Sequence, residues 1–224
     1  MAESKARLLA WLVGINIFVG LVDGFFKQAL YQWSPAAFQV YDFFHYVLLP
    51  GACWAWLWRR GALNPSDFGL ARSGNTPVEQ VLLAGSLGLG LWALYELSNT
   101  LFTSVLWPLG LGWRSEFQWG ATLDASQWRP LLAVYYAATA GVVEEILFRA
   151  CLFRLLAGAG GTGAAARYVS LSTLLFALTH WEQGSAAMLA AGVYGCCAAW
   201  LYLKLRDLWP LIGAHFLVDL IEFW

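Results

Sequence analysis

Seven apolar blocks broken by short polar links set the pattern of the chain: Leu8–Val22, Phe38–Trp58, Val81–Trp107, Leu131–Leu156, Tyr168–Trp181, Ser185–Leu203 and Trp209–Trp224. A membrane-crossing helix needs about 20 apolar residues, so the first, fifth and seventh blocks are short. Such blocks either extend into neighbouring residues or stop inside the protein, where other helices cover their ends. The pattern predicts an all-α fold: a polytopic membrane helical bundle of about seven transmembrane helices, six to eight by how the short blocks are counted. Residues 1–224 read as one integral membrane domain, with no separate soluble unit and no internal repeat.

Breakers mark the links. Asn64-Pro65-Ser66-Asp67 and Gly74-Asn75-Thr76-Pro77 punctuate the second, Pro108 to Pro130 bracket the third, and Gly158, Gly160, Gly161 and Gly163 loosen the fourth. Lys5 and Arg7 ahead of the first block give it the look of a signal peptide. Asp23 and Gly24 follow in place of a small-x-small cleavage site, so a retained first membrane helix is expected.

Composition strengthens the membrane reading. Hydrophobic residues make up 60% and charged residues 12%, against roughly a quarter charged in soluble domains. Lipid must cover part of so much apolar surface. The net charge of −1 offers no basic footprint for nucleic acid. The 14 Trp and 9 Tyr suit headgroup-level belts, with Trp54, Trp56 and Trp58 one such stretch. Cys53, Cys151, Cys196 and Cys197 have neither zinc-ligand spacing nor a disulfide framework and read as packing residues.

Seven spans with a cytoplasmic N-terminus put Lys5, Arg7, Arg59, Arg60, Arg72, Arg154, Arg167, Lys204 and Arg206 inside and only Lys27, Arg114 and Arg129 outside. That asymmetry follows the positive-inside rule. With the short links and Ala/Gly/Trp-rich composition, it suggests a bacterial inner-membrane protein whose partners include membrane lipid.

The charges that remain within apolar blocks cluster. Glu144, Glu145 and Arg149 share the fourth, His180 ends the fifth, and His215 and Asp219 lie in the seventh. A charge at mid-bilayer costs about 2.5–3.5 kcal/mol and marks a functional site by default. Glu145 and Arg149 are four apart, acid first, the favourable order for a helical ion pair, so Glu145 is expected to be a positioning residue with Arg149. Glu144 sits about 100° around the helix from Glu145 and is left for chemistry. Ala137, Ala140 and Gly141 lie on its face, permitting either close helix contact or a cavity. His215 and Asp219 project from one helix face.

A carboxylate in apolar surroundings can act as a base near neutral pH. Glu144 is therefore a candidate to deprotonate water, with His180 sharing that water or protonating a leaving amine. His215 is a candidate oxyanion donor. The set holds no Ser or Cys nucleophile.

At these residues the chain resembles the CAAX-protease and bacteriocin-processing family, which includes the type II CAAX prenyl endopeptidases. Glu144-Glu145-Ile-Leu-Phe-Arg149 is similar to its EExxxR motif, Phe176-Ala-Leu-Thr-His180 to FxxxH, and His215-Phe-Leu-Val-Asp219 to HxxxN/D. Asp67-Phe-Gly-Leu70 resembles a weaker family feature, and the family-like core covers about residues 130–224. The resemblance implies a helical membrane fold enclosing a polar cavity open to water, Glu144 and His180 activating water, and His215 with Asp219 holding the oxyanion. Asp219 stands where the prenyl endopeptidases have Asn. An Asp donates only when protonated, so Asp219 either donates or orients His215.

The reading is thus a glutamic-type intramembrane endopeptidase, acting without a cofactor on a membrane-associated protein or peptide near its C-terminal tail. Alternatives are a zinc-dependent version, disfavoured because no HExxH helix is present, and a non-catalytic immunity or binding protein of the same fold. A proton-coupled transporter is disfavoured because the polar cluster is expected only in the C-terminal half. His45, near Asp42, reads as packing, and Glu96 either lines the cavity or meets Arg149. His180 lies 13 residues into its block and His215 only 7, a depth offset of roughly 9 Å at 1.5 Å per residue, so one helix must start deeper or tilt.

Overall fold

The computed structural model describes residues 3–61, 64–70, 75–114, 123, 127–157 and 160–224. The expectations placed on Arg72, Gly74 and Gly158 lie outside the described residues. Among them the chain forms eight helices and no strand. They are α1 (Glu3–Val22), α2 (Lys27–Trp33), α3 (35–59), α4 (Pro77–Leu106), α5 (Arg129–Leu156), α6 (Ala164–Thr179), α7 (Ser185–Leu205) and α8 (Trp209–Phe223). All seven apolar blocks are helical. The additional helix is α2, a seven-residue piece within the first link.

Local chemistry starts several of them. Ser34 caps α3 by accepting from the Ala37 N–H at 3.2 Å, with Pro35 supplying the first helical φ. Thr76 and Glu79 form a reciprocal capping box at α4: Glu79 accepts the Thr76 N–H at 2.7 Å and Thr76 Oγ1 the Glu79 N–H at 3.3 Å.

Among the described residues four helices are long and apolar enough to cross a membrane: α1 extended to residues Ser4–Phe25, α4, α5 and α7. Trp11, Phe18, Val81, Leu82, Leu89 and Leu97 all point outward, as lipid-facing side chains do. α4 is the least buried of the four and packs mainly against α7 and α8. The 16 residues of α6 end at Thr179, with His180 at the C-cap.

Two sets of contacts define opposite ends. Lys5 Nζ donates to Gly61 O at 2.8 Å, Leu208 N–H to Gly69 O at 3.0 Å and Gln80 Nε2 to Asp207 Oδ2 at 2.6 Å. At the other end Arg129 Nη2 donates to Trp224 O at 2.8 Å and Ser185 N–H to Trp113 O at 3.1 Å. The Asp67–Leu70 stretch enters a 3-10 turn at the first end, where Phe68 is buried.

The close pairing of α5 and α8 matters most for the site. A Cβ on Gly141 would come within 3.1 Å of Phe216 N and 3.2 Å of Ile212 O. Both atoms are backbone, so the glycine lets the two helices touch. Ala140 meanwhile lines a cavity beside Glu144. Both uses expected for small residues on this face therefore occur together.

Candidate active site

Residues 145–151 widen α5 into a π turn, a feature that often marks functional sites. Seven consecutive residues there are buried. Glu145 and Arg149 are fully enclosed and paired, Nε to Oε2 at 3.1 Å. The Arg149 guanidinium also lies 4.4 Å above the Phe176 ring. The Phe176 ring is 4.6 Å from that of His180 and 6.1 Å from that of His215. The phenylalanine of the second motif is thus a spacer touching groups from all three.

Glu144 stands between the two imidazoles. Its Oε2 is 4.0 Å from His180 Nε2 and 3.9 Å from His215 Nε2. Its Oε1 accepts a hydrogen bond from Tyr46 Oη at 3.2 Å. The 4 Å gaps exceed a direct hydrogen bond and leave room for a shared water. His180 donates through Nδ1 to Phe176 O at 2.7 Å, because that carbonyl can only accept. In its neutral form the ring then presents the Nε2 lone pair to Glu144. His215 is held at Nδ1 by Glu145 Oε1 at 2.8 Å, and Asp219 Oδ2 lies 3.6 Å from its Nε2. The group orienting His215 through Nδ1 is Glu145, while Asp219 faces the nitrogen turned toward Glu144.

Two cavities meet at these side chains. One, of about 100 Å³, is lined by Glu144, His180, His215, Tyr46 and Ala140. The other, of about 440 Å³, runs from His180, His215 and Asp219 past Tyr95, Asn99 and Thr103 to Trp107, Trp113 and Arg114. Among the described residues no group of three or more His, Cys, Asp or Glu is arranged to hold a metal ion.

The sequence placed the polar cluster only in the C-terminal half, and the structure extends it into the N-terminal half. Asp23, Lys27, Asp42 and His45 are buried and line the first cavity with Glu182. Lys27, assigned to an outer link, lies 2.6 Å from Glu182 Oε1 and 3.0 Å from Asp23 Oδ2. Burial opposes its ammonium, but Glu182 and Asp23 outweigh that and hold its pKa above the ordinary lysine value. His45 is more than packing, its Nδ1 lying 3.2 Å from Asp23 Oδ2. Glu96 does not meet Arg149, which pairs with Glu145. It lies beside Glu222, whose Oε1 accepts from Trp92 at 2.9 Å. Tyr46, Tyr194 (its ring 5.2 Å from that of His215) and the Asp23–Lys27 pair carried no motif; only the i, i+4 spacing of Asp23 and Lys27 hinted at a buried pair.

Residues 126–221, a little under half of the chain, match the family model described as Type II CAAX prenyl endopeptidase Rce1-like. No curated protein and no solved structure matches the chain. The matched region takes in Glu144–Arg149, Phe176–His180 and His215–Asp219 together, so this part of the chain is similar to the type II CAAX prenyl endopeptidases, a likeness that supports a CAAX-type intramembrane protease in general terms.

Proposed function

We propose that the chain is a glutamic-type endopeptidase in which Glu144 and His180 activate a water for attack on a peptide bond of a membrane-associated substrate. The observation that carries this is the 4.0 Å separation of Glu144 Oε2 from His180 Nε2. A water about 2.8 Å from both acceptors would donate one hydrogen to each at an angle near 90°. Both its lone pairs then stay free for attack. As the oxygen bonds to the carbonyl carbon, Glu144 takes the proton and delivers it to the leaving nitrogen as the C–N bond breaks, while His180 holds the other hydrogen of the water.

His215 and Asp219 serve the oxyanion side. With Nδ1–H given to Glu145, His215 offers Nε2–H to an oxyanion only as the imidazolium, and Asp219, 3.6 Å from that nitrogen, stands beside it on the same helix face. Glu145 and Arg149 position His215. No cofactor takes part in this scheme.

The larger cavity is the substrate path. Its aromatic and small-residue walls fit an extended segment near a C-terminal tail, and its outer end lies near Trp107 and Trp113. The end of the bundle holding Lys5, Gly61 and Arg206 faces the cytoplasm of a bacterial inner membrane, which supports a cytoplasmic N-terminus by the positive-inside rule.

Purified protein in lipid vesicles, given farnesylated CAAX and unlipidated C-terminal tail peptides, tests the reading. Wild-type chain should cleave at least one peptide, chelator should leave cleavage intact, and Glu144→Gln should abolish it while remaining folded. Full activity in Glu144→Gln overturns the proposal, and chelator-sensitive activity restored by zinc replaces it with a metal mechanism.

A further inference from the structure

The buried charges of the N-terminal half take no part in the water-activating scheme, yet they reach both of its members. On one side they hold the chain just after His180. That residue ends α6, and Trp181–Gln183 form a single 3-10 turn. Trp181 and Glu182 are both fastened to the stretch from the end of α1 to the start of α2. Glu182 pairs with Lys27 at 2.6 Å, Trp181 Nε1 donates to Leu21 O at 2.9 Å, and the Phe25 ring lies 4.7 Å from that of Trp181. Gly24 is pressed so close that a Cβ would fall 2.8 Å from Glu182 Cβ and from Trp181 Cζ2.

On the other side the same charges approach Glu144. Lys27 pairs with Asp23 at 3.0 Å, and Asp23 lies 3.2 Å from His45 Nδ1. The His45 ring is 4.6 Å from that of its neighbour Tyr46, which donates to Glu144 Oε1. Both residues stand in the π turn Phe44–Leu48 of α3. Lys27, 4% exposed, is therefore the hub of two arms: one ends at the backbone beside His180, the other at the hydroxyl that holds Glu144.

We infer that Lys27, with Asp23 and Glu182, is a positioning group that sets the separation of His180 from Glu144. This rests on the assignment of those two residues as the water-activating pair. An ion cluster suits the task better than an apolar contact would. Short charge-assisted bonds define a distance and a direction, whereas hydrophobic packing tolerates sliding. A misplacement of about 1 Å in such a pair can cost on the order of 100-fold in rate.

The test uses the full chain labelled with ¹⁵N-histidine, whose three histidines give a resolvable ring spectrum, together with the farnesylated CAAX tail peptide in lipid vesicles. In the wild-type background, Glu144→Gln should shift the His180 Nε2 resonance. In Lys27→Met that response should be lost, and kcat should fall about 100-fold with KM changed less than about threefold. Should Lys27→Met fail to fold, Glu182→Gln is the milder probe, expected to weaken the response and lower kcat at least about tenfold. A folded variant that keeps the full His180 response overturns the inference, as does one that loses KM alone. Because the spectrum needs no substrate, wild-type chain that cleaves nothing would count against the hydrolytic assignment and leave the spectrum to judge the positioning role.

Discussion

Glu145 bonds His215 at Nδ1 over 2.8 Å, while its neighbour Glu144 faces Nε2 of the same ring from 3.9 Å. Two consecutive carboxylates, fanned apart by the helix, thus hold one imidazole from both sides. Glu145 has a second task, since its other oxygen carries the fully buried Arg149.

Removing Glu145 therefore strands two groups. Glu145→Ala should destabilise the protein by about 3–5 kcal/mol, the cost of leaving a buried charge without its partner. Arg149→Met should cost a similar amount. The double variant should be clearly more stable than the sum of the two losses, because neither charge is then stranded. Thermal unfolding in detergent measures all three, and simple additivity would show that the two groups do not act as a pair.

Tyr46→Phe keeps the ring and deletes only the donor to Glu144. A hydrogen bond to a charged group is worth about 1.5–3 kcal/mol, so kcat should drop roughly 10- to 100-fold with little change in unfolding temperature. Unchanged kcat would remove Tyr46 from the site.

Gly141→Ala tests the contact that brings Glu144 and His215 together. The added Cβ meets backbone on α8, which cannot swing away, so a loss of about 1–3 kcal/mol is expected from overpacking, accompanied by lost cleavage. Gly85→Ala on α4 is the control, since nothing lies within 4 Å of its Cβ position. There the better helix former should be neutral or slightly stabilising. Equal effects at both positions would mean that close contact is not what Gly141 provides.

Asp219→Asn replaces an acceptor-only carboxylate with an amide that always has an N–H to donate. Cleavage should remain within about tenfold of wild type, whereas Asp219→Leu, which can neither accept nor donate, should lose at least about 100-fold. If Asn is as damaging as Leu, the negative charge beside His215 is what the site requires.

Much of this arrangement was legible in the chain. Apolar block lengths give the helices, and the misfit of charges within them singles out Glu144, Glu145, Arg149, His180, His215 and Asp219, all of which meet in space. Helical spacing alone also pairs Glu145 with Arg149. What escapes sequence reading is whatever depends on which helix faces which. Lys27 looks like a link charge until Glu182, 155 residues away, is brought to it. Tyr46 looks like one more aromatic in an apolar helix until α3 lies beside α5. The third partner of His215 is hidden for a related reason: periodicity tells that Glu145 points away from Glu144, and only the crossing with α8 tells that an imidazole fits between their directions.

The early end of α6 has a consequence for where the protein can work. Phe176 O, near the last turn, accepts from both Thr179 Oγ1 at 2.9 Å and His180 Nδ1 at 2.7 Å. A helix that ends away from bulk solvent must satisfy its final carbonyls from within, and here side chains do so. The aim of the His180 ring is therefore fixed by the same carbonyl that closes the helix, so the site can work only where that helix end stays folded.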